Sequence, residues 1–191
     1  MGKYAIRNQE GLHFVTFTVV YWLDIFIRDA YRNIFYESLE FCQKNKGLNV
    51  YAYCNMSSHI HLIMSASGTN SLSEILKDLK SFTSRHIRKT LEADTTESRK
   101  EWMLWLMKRA GAKNERNKDF QFWQQHNHPI ELSTNEMIDQ RLDYTYNNPI
   151  EAGFVEEAHC WLHSSGRDYT EAEKVELNFC FYRLVVARRY D

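Results

Sequence analysis

Two imidazoles stand two residues apart in His59-Ile60-His61, between the apolar-rich run 50–56 and Leu62-Ile63-Met64. In an extended strand alternate side chains share a face, so both rings point the same way. That pair is half of a metal site, carried on a strand whose apolar residues face a core while the polar pair lines a cleft. Far downstream, Asp143-Tyr144-Thr145-Tyr146-Asn147-Asn148-Pro149 reads as the end of a helix. Residues four apart share a helical face, so Tyr144 and Asn148 point together, whereas Tyr146 lies roughly 200° from Tyr144 around the axis. If that face meets the histidine strand, two imidazoles, an amide oxygen and a phenol share one cleft. The chemistry available there is nucleophilic attack beside a metal.

The elements that must position these groups are legible in outline. Residues 12–21 are rich in β-branched and aromatic side chains, with Thr16 and Thr18 alternating against Val15, Phe17 and Val19, which predicts a first strand. Between 28 and 46 the apolar positions Tyr31, Ile34, Phe35, Leu39 and Cys42 recur at helical spacing, and Gly47 stands where a C-cap belongs. Residues 48–56 and 59–65 predict two strands joined through Ser57-Ser58, and 71–91 a second helix capped by Ser71 or Ser73. Strand, helix, strand, strand, helix is most of a β-α-β-β-α-β ferredoxin-like domain. The alternating stretch 120–125 is the expected last strand. Ser133 or Thr134 caps a helix expected to run to about Asn147 and to end ahead of Pro149. Residues 101–107 form a short apolar segment, 111–119 a polar connection, and 175–186 a helix or a strand. The fold class expected is α+β: a ferredoxin-like, RRM-like antiparallel sheet with helices on one face and a C-terminal helix carrying the tyrosine. One domain spans 1–191, with 170–191 as a C-terminal extension.

Composition narrows the class. Charge is nearly balanced, 24 Lys and Arg against 25 Asp and Glu, but from Lys77 to Lys118 there are 12 basic and 6 acidic residues. A local basic face can hold phosphates or be an ordinary solvated helix surface. Cys42, Cys54, Cys160 and Cys180 show no C-x-x-C spacing and sit among apolar or aromatic neighbours, the pattern of buried free thiols in a reducing compartment. The N-terminus lacks an apolar core of signal-peptide length and nowhere do 18 apolar residues run together, so a cytoplasmic protein without a membrane partner is expected.

His59-Ile60-His61 resembles the His-hydrophobe-His motif of HUH endonucleases. Residues 142–155 are similar to the tyrosine motif of single-tyrosine transposases, above all the REP-associated tyrosine transposases. Phe122-Trp123-Gln124 with His128-Pro129 echoes a further pattern of that family, as does the small-residue stretch 161–169. The likeness runs from about Gly11 to Tyr169. It implies His59 and His61 as metal ligands, Asn148 as the third, oxygen-donating ligand, Tyr144 as nucleophile, and Mg²⁺ or Mn²⁺ as the cofactor. It further implies single-stranded or hairpin DNA as the partner, cleaved through a 5′-phosphotyrosine link and rejoined; homodimer and monomer both occur among such relatives. Lys77, Lys80, Arg85, Arg88 and Lys89 are the candidate phosphate contacts, and Trp123 or His128 the candidate base-stacking residues. Two other classes fit parts of the pattern: an RRM-like module that binds nucleic acid without chemistry, and a metal phosphodiesterase that uses water. The paired aromatics expected of the first are not evident on the central strands.

Overall fold

The computed structural model describes residues 6–114 and 119–167. Its regular elements are β1 (His13–Thr18), α1 (Asp29–Lys46), β2 (Leu48–Asn55), β3 (His59–Ala66), α2 (Leu72–Ala93), α3 (Lys100–Ala112), β4 (Ile130–Glu131) and α4 (Asn135–Glu151). The sheet is antiparallel with strand order β2-β3-β1-β4, the order of a ferredoxin-like domain.

Strand alternation divides the molecule into two layers. On one face Val15, Phe17, Ile60, Leu62 and Met64 join Leu39 of α1 and Leu76 and Leu79 of α2 in the main core. On the other, Phe14, Ala52 and Ile63 meet Leu132 in a smaller cluster covered by Met137, Ile138, Leu142 and Tyr146 of α4. The first two helices therefore share a face, and the tyrosine helix lies across the opposite one.

Caps fix the ends of these helices. Gly47 ends α1 at φ 72°, donating its N–H to the Cys42 carbonyl. Ser71 and Glu74 form a reciprocal capping box at the start of α2, and the Thr134 hydroxyl accepts from Met137 N at the start of α4.

Four expectations need correction. Residues 120–125 do not form the last strand, because Phe122 and Trp123 are both buried instead of alternating. They pack among Phe17, Phe26 and Phe35, and Trp123 makes only an isolated bridge to Val19. The strand proper is Ile130–Glu131, opposite His13 and Phe14. Between them the chain follows β1 irregularly, through Gln124 N to Thr18 O and Thr16 N to Asn127 O, with His128 at φ 43°.

The last helix does not stop ahead of Pro149 but runs to Glu151 with Pro149 in its final turn, where the missing N–H removes only one rung. The segment expected as 101–107 is the longer α3, which takes in the start of the expected polar connection. Cys42 and Cys54 are buried and free as expected, but Cys160 is exposed. Cys180, the element at 175–186 and the extension 170–191 lie outside the described residues. Among the described residues no helix is long and apolar enough to cross a membrane.

Candidate active site

The register of β1 on β3 sets Thr16 opposite His61 and Thr18 opposite His59, all on the face covered by α4. The two imidazole rings lie 4.8 Å apart, centroid to centroid. Tyr144 meets His61 edge-on at 5.1 Å, and Phe14 stacks on the same imidazole at 5.4 Å. One turn further along α4, Asn148 stands near enough to His59 for its side chain to favour the protonated imidazole. The fold thus brings together His59, His61, Tyr144 and Asn148 from two elements separated by some eighty residues of sequence. Tyr146 faces away from them, half-buried against the smaller cluster, with its hydroxyl 3.4 Å from Ser165 Oγ.

The surroundings of the two imidazoles keep them neutral. His61 is 3% exposed, and burial pushes its pKa down to about 3, with His59 and Arg141 acting in the same direction. Burial also lowers His59, opposed by the nearby Asn148 side chain. Thr16 Oγ1 and His61 Nδ1 share a hydrogen bond of 3.0 Å, while the buried Nε2 of His61 has no hydrogen-bond partner. A buried polar nitrogen left unpaired is costly, so its presence calls for a functional account. Tyr144, by contrast, is 38% exposed and open to a ligand from solvent.

The candidate DNA contacts fare differently. Trp123 cannot stack on a base: it is 5% exposed inside the aromatic core, and its indole N–H is donated to Thr83 Oγ1. Lys80 is not a surface cation either. Its Nζ donates to the Gln124 carbonyl and to Asn127 Oδ1, both at 2.7 Å, bracing the irregular edge along β1. Burial pushes its pKa down to about 8. Lys77, Arg85, Arg88 and Lys89 are exposed, on a helix of the layer opposite the imidazoles. Arg88 pairs with Glu92 at 2.7 Å. His128 is exposed on the irregular edge.

Three neighbours of the site escaped the sequence reading. The guanidinium of Arg141 lies 5.2 Å from the Phe14 ring centre and 5.8 Å from that of Tyr144, and among the described residues it makes no ion pair. Its place three residues before Tyr144 was a usable signal, since i and i+3 share a helical stripe. Thr16 and Phe14 reach the site only through the β1–β3 register, which no local pattern encodes.

One solved structure shares this architecture. A solved REP-associated tyrosine transposase bound to a REP hairpin is similar over 94% of this chain and 91% of its own, with 14% identity and a TM-score of 0.64. A Deinococcus radiodurans R1 structure described as a transposase aligns over 78% of this chain and 97% of its own, at 15% identity and a TM-score of 0.42. No curated protein matches the chain. The family model of IS200-like transposases matches residues 10–108, from the approach to β1 through both histidines and into α3. The chain belongs to the IS200-like transposase family.

Proposed function

We propose that this chain cleaves and rejoins single-stranded DNA through a covalent bond to Tyr144, at a divalent-cation site made by His59, His61 and Asn148. The observation that carries this reading is the unpartnered Nε2 of buried His61, in a ring that Tyr144 meets at 5.1 Å. With the proton on Nδ1 and donated to Thr16, Nε2 presents a lone pair, the state a metal-binding imidazole needs. The third donor in this reading is the Asn148 amide oxygen, as the resemblance implies, and its place beside His59 supports the assignment. Two nitrogens and one oxygen suit Mn²⁺, and Mg²⁺ is the abundant alternative. Such a cation, when bound, polarises a phosphoryl oxygen and offsets charge in the transition state.

The residues supply the rest. A phenol with a pKa of about 10 is ionised to roughly 0.1% at pH 7, so positioning must do much of the work. Tyr144 Oη forms a bond to phosphorus as the bond to the 3′ oxygen breaks, and the phenol's proton ends on the departing 3′ oxygen. The products are a 5′-phosphotyrosine and a free 3′-hydroxyl, and attack by another 3′-hydroxyl reverses the step without ATP. Arg141, over the tyrosine ring and free of carboxylates among the described residues, meets the phosphate. All four central side chains come from one copy, so a monomer can assemble the site in cis. A DNA hairpin, as bound by the structurally similar REP-associated transposase, would offer an unpaired strand beside a stem. The RRM-like alternative needs an open sheet face, and here α4 covers it.

The test is incubation of wild type and Tyr144→Phe with a labelled single-stranded hairpin and Mn²⁺. A denaturant-resistant protein–DNA adduct, absent from the Phe variant, is the expected result. Equal cleavage by both proteins overturns the tyrosine chemistry and leaves a water-using phosphodiesterase.

A further inference from the structure

The loop after β1 carries an aromatic pair that packing does not require. Val20, Leu23, Ile25 and Phe26 of this loop are buried, whereas Tyr21 is 43% and Trp22 60% exposed, the most open large apolar side chain among the described residues. Both lie in the left-handed region, at φ 54° and 55°. Bulky L-residues rarely adopt that conformation, and two in succession persist only where the surroundings over-determine them. Here the surroundings do: Phe26 N donates to Ser57 O, Asp24 pairs with Arg99 at 2.7 Å, and Arg28 pairs with buried Glu97 at 2.9 Å. The loop is thus held in a strained shape whose visible result is an indole delivered to the candidate site. The Trp22 ring meets His59 edge-to-face at 5.2 Å, with most of its surface left to solvent.

We infer that Trp22 is a stacking platform for the unpaired nucleobase that adjoins the phosphate held at His59 and His61. The inference rests on the proposed DNA chemistry for the identity of the ligand. A planar apolar surface beside a site for an anion fits a ligand that joins a flat π-system to a phosphate by one sugar, and an unpaired nucleotide has that form. A second aromatic pair, beyond the end of α4, is already engaged. Phe154 and Trp161 stack on each other at 5.4 Å, and the Trp161 indole donates to the Asn55 carbonyl. Stacking selects no base in particular, so the platform places the strand and leaves the choice of sequence to other contacts.

The test measures binding of a fluorescein-labelled oligothymidylate by anisotropy in the Tyr144→Phe background with Mn²⁺ present, so that the cation is in place and no tyrosine adduct forms, together with versions carrying one abasic site at successive positions. Trp22→Ala is expected to weaken binding about 5- to 100-fold, and Trp22→Phe to stay within about threefold of wild type. One abasic position should weaken wild type by a similar factor and cost Trp22→Ala nothing further. Trp22→Gly, which relaxes the backbone, should bind as weakly as Trp22→Ala yet melt at or above the wild-type temperature. Trp22→Ala binding as tightly as wild type, or equal abasic penalties in both proteins, overturns the platform. So does a Trp22→Gly variant that melts well below wild type. Coupling between Trp22 and one nucleotide, when the protein that retains Tyr144 forms no adduct, keeps the platform and overturns the tyrosine reading; an adduct without coupling does the reverse.

Discussion

The two faces of β3 differ by one residue of phase and by everything else. Ile60, Leu62 and Met64 are sealed into the core against α1 and α2, whereas His59 and His61 look across to α4 and its half-exposed Tyr144. The core face gains from each apolar atom it hides. The other face hides an imidazole nitrogen with nothing to bond to, an arrangement that costs stability and that the proposed metal site would explain. One strand therefore holds both fully buried core residues and one of the buried unpartnered polar groups found among the described residues, and adjacent substitutions should have opposite consequences.

The sharpest way to break that contrast is a pair of neighbouring variants. His61→Leu should abolish the protein–DNA adduct while leaving the metal-free melting temperature close to wild type, because removing an unpaired buried nitrogen offsets the loss of the Thr16 hydrogen bond. Leu62→Ala should do the opposite, losing about 2–5 kcal/mol of stability in urea titrations while the surviving folded fraction still forms adduct. A His61→Leu protein that melts far below wild type would show that the imidazole is structural.

Next in size is Lys80. Lys80→Met should cost about 1–3 kcal/mol, since the Gln124 carbonyl and Asn127 amide lose their donor; Lys77→Met should stay within about 0.5 kcal/mol. Equal melting temperatures for the two variants would remove Lys80 from the structural layer. The basic residues also distinguish the faces. Arg141→Gln should reduce the slope of log affinity against log salt for a single strand by about one phosphate contact, while Lys77→Gln on the far layer leaves it unchanged. The reverse ranking would move the DNA track to α2.

The smallest effect is on acid stability. The pKa of His163 is lowered from its ordinary 6.5 to about 4 by burial, with Arg32 adding to it. As pH falls, the unfolded chain takes up that proton first, so the contribution is complete above about pH 6.5 and fades toward pH 4. Thermal melts between pH 7 and 4.5 should show a shallower decline for His163→Gln than for wild type. Parallel curves would mean that His163 is as solvated folded as unfolded.

What the sequence disclosed and what it withheld follow from the range of each interaction. Helix caps are local chemistry, and Gly47, Ser71 and Thr134 all do what their types predict. The imidazole pair, and Tyr144 with Asn148, were legible because strand and helix periods are local too. The edge beside β1 was not. Phe122 and Trp123 alternate with polar neighbours only in part, and both are drawn inward by Phe26 and Phe35 from an element some ninety residues away. Lys80 was misassigned for the same reason: its partners, the Gln124 carbonyl and Asn127 Oδ1, belong to that edge. Thr16, Phe14 and Arg141 join the site through tertiary register, and Trp22 through a left-handed loop that no propensity forecasts.

Gly47 deserves a last look from the opposite end of β3. A Cβ there would fall 1.7 Å from the Ser67 carbonyl oxygen, and Ser67 N donates to the Gly47 carbonyl at 2.7 Å. The exit of the histidine strand is thereby stapled to the end of α1 by bare backbone. A side chain at position 47 would have to push that strand end outward or unwind the helix terminus, and a shift by one residue would turn both imidazoles into the oily interior. Loss of function in a copy with every reactive side chain intact is to be sought first at this methylene.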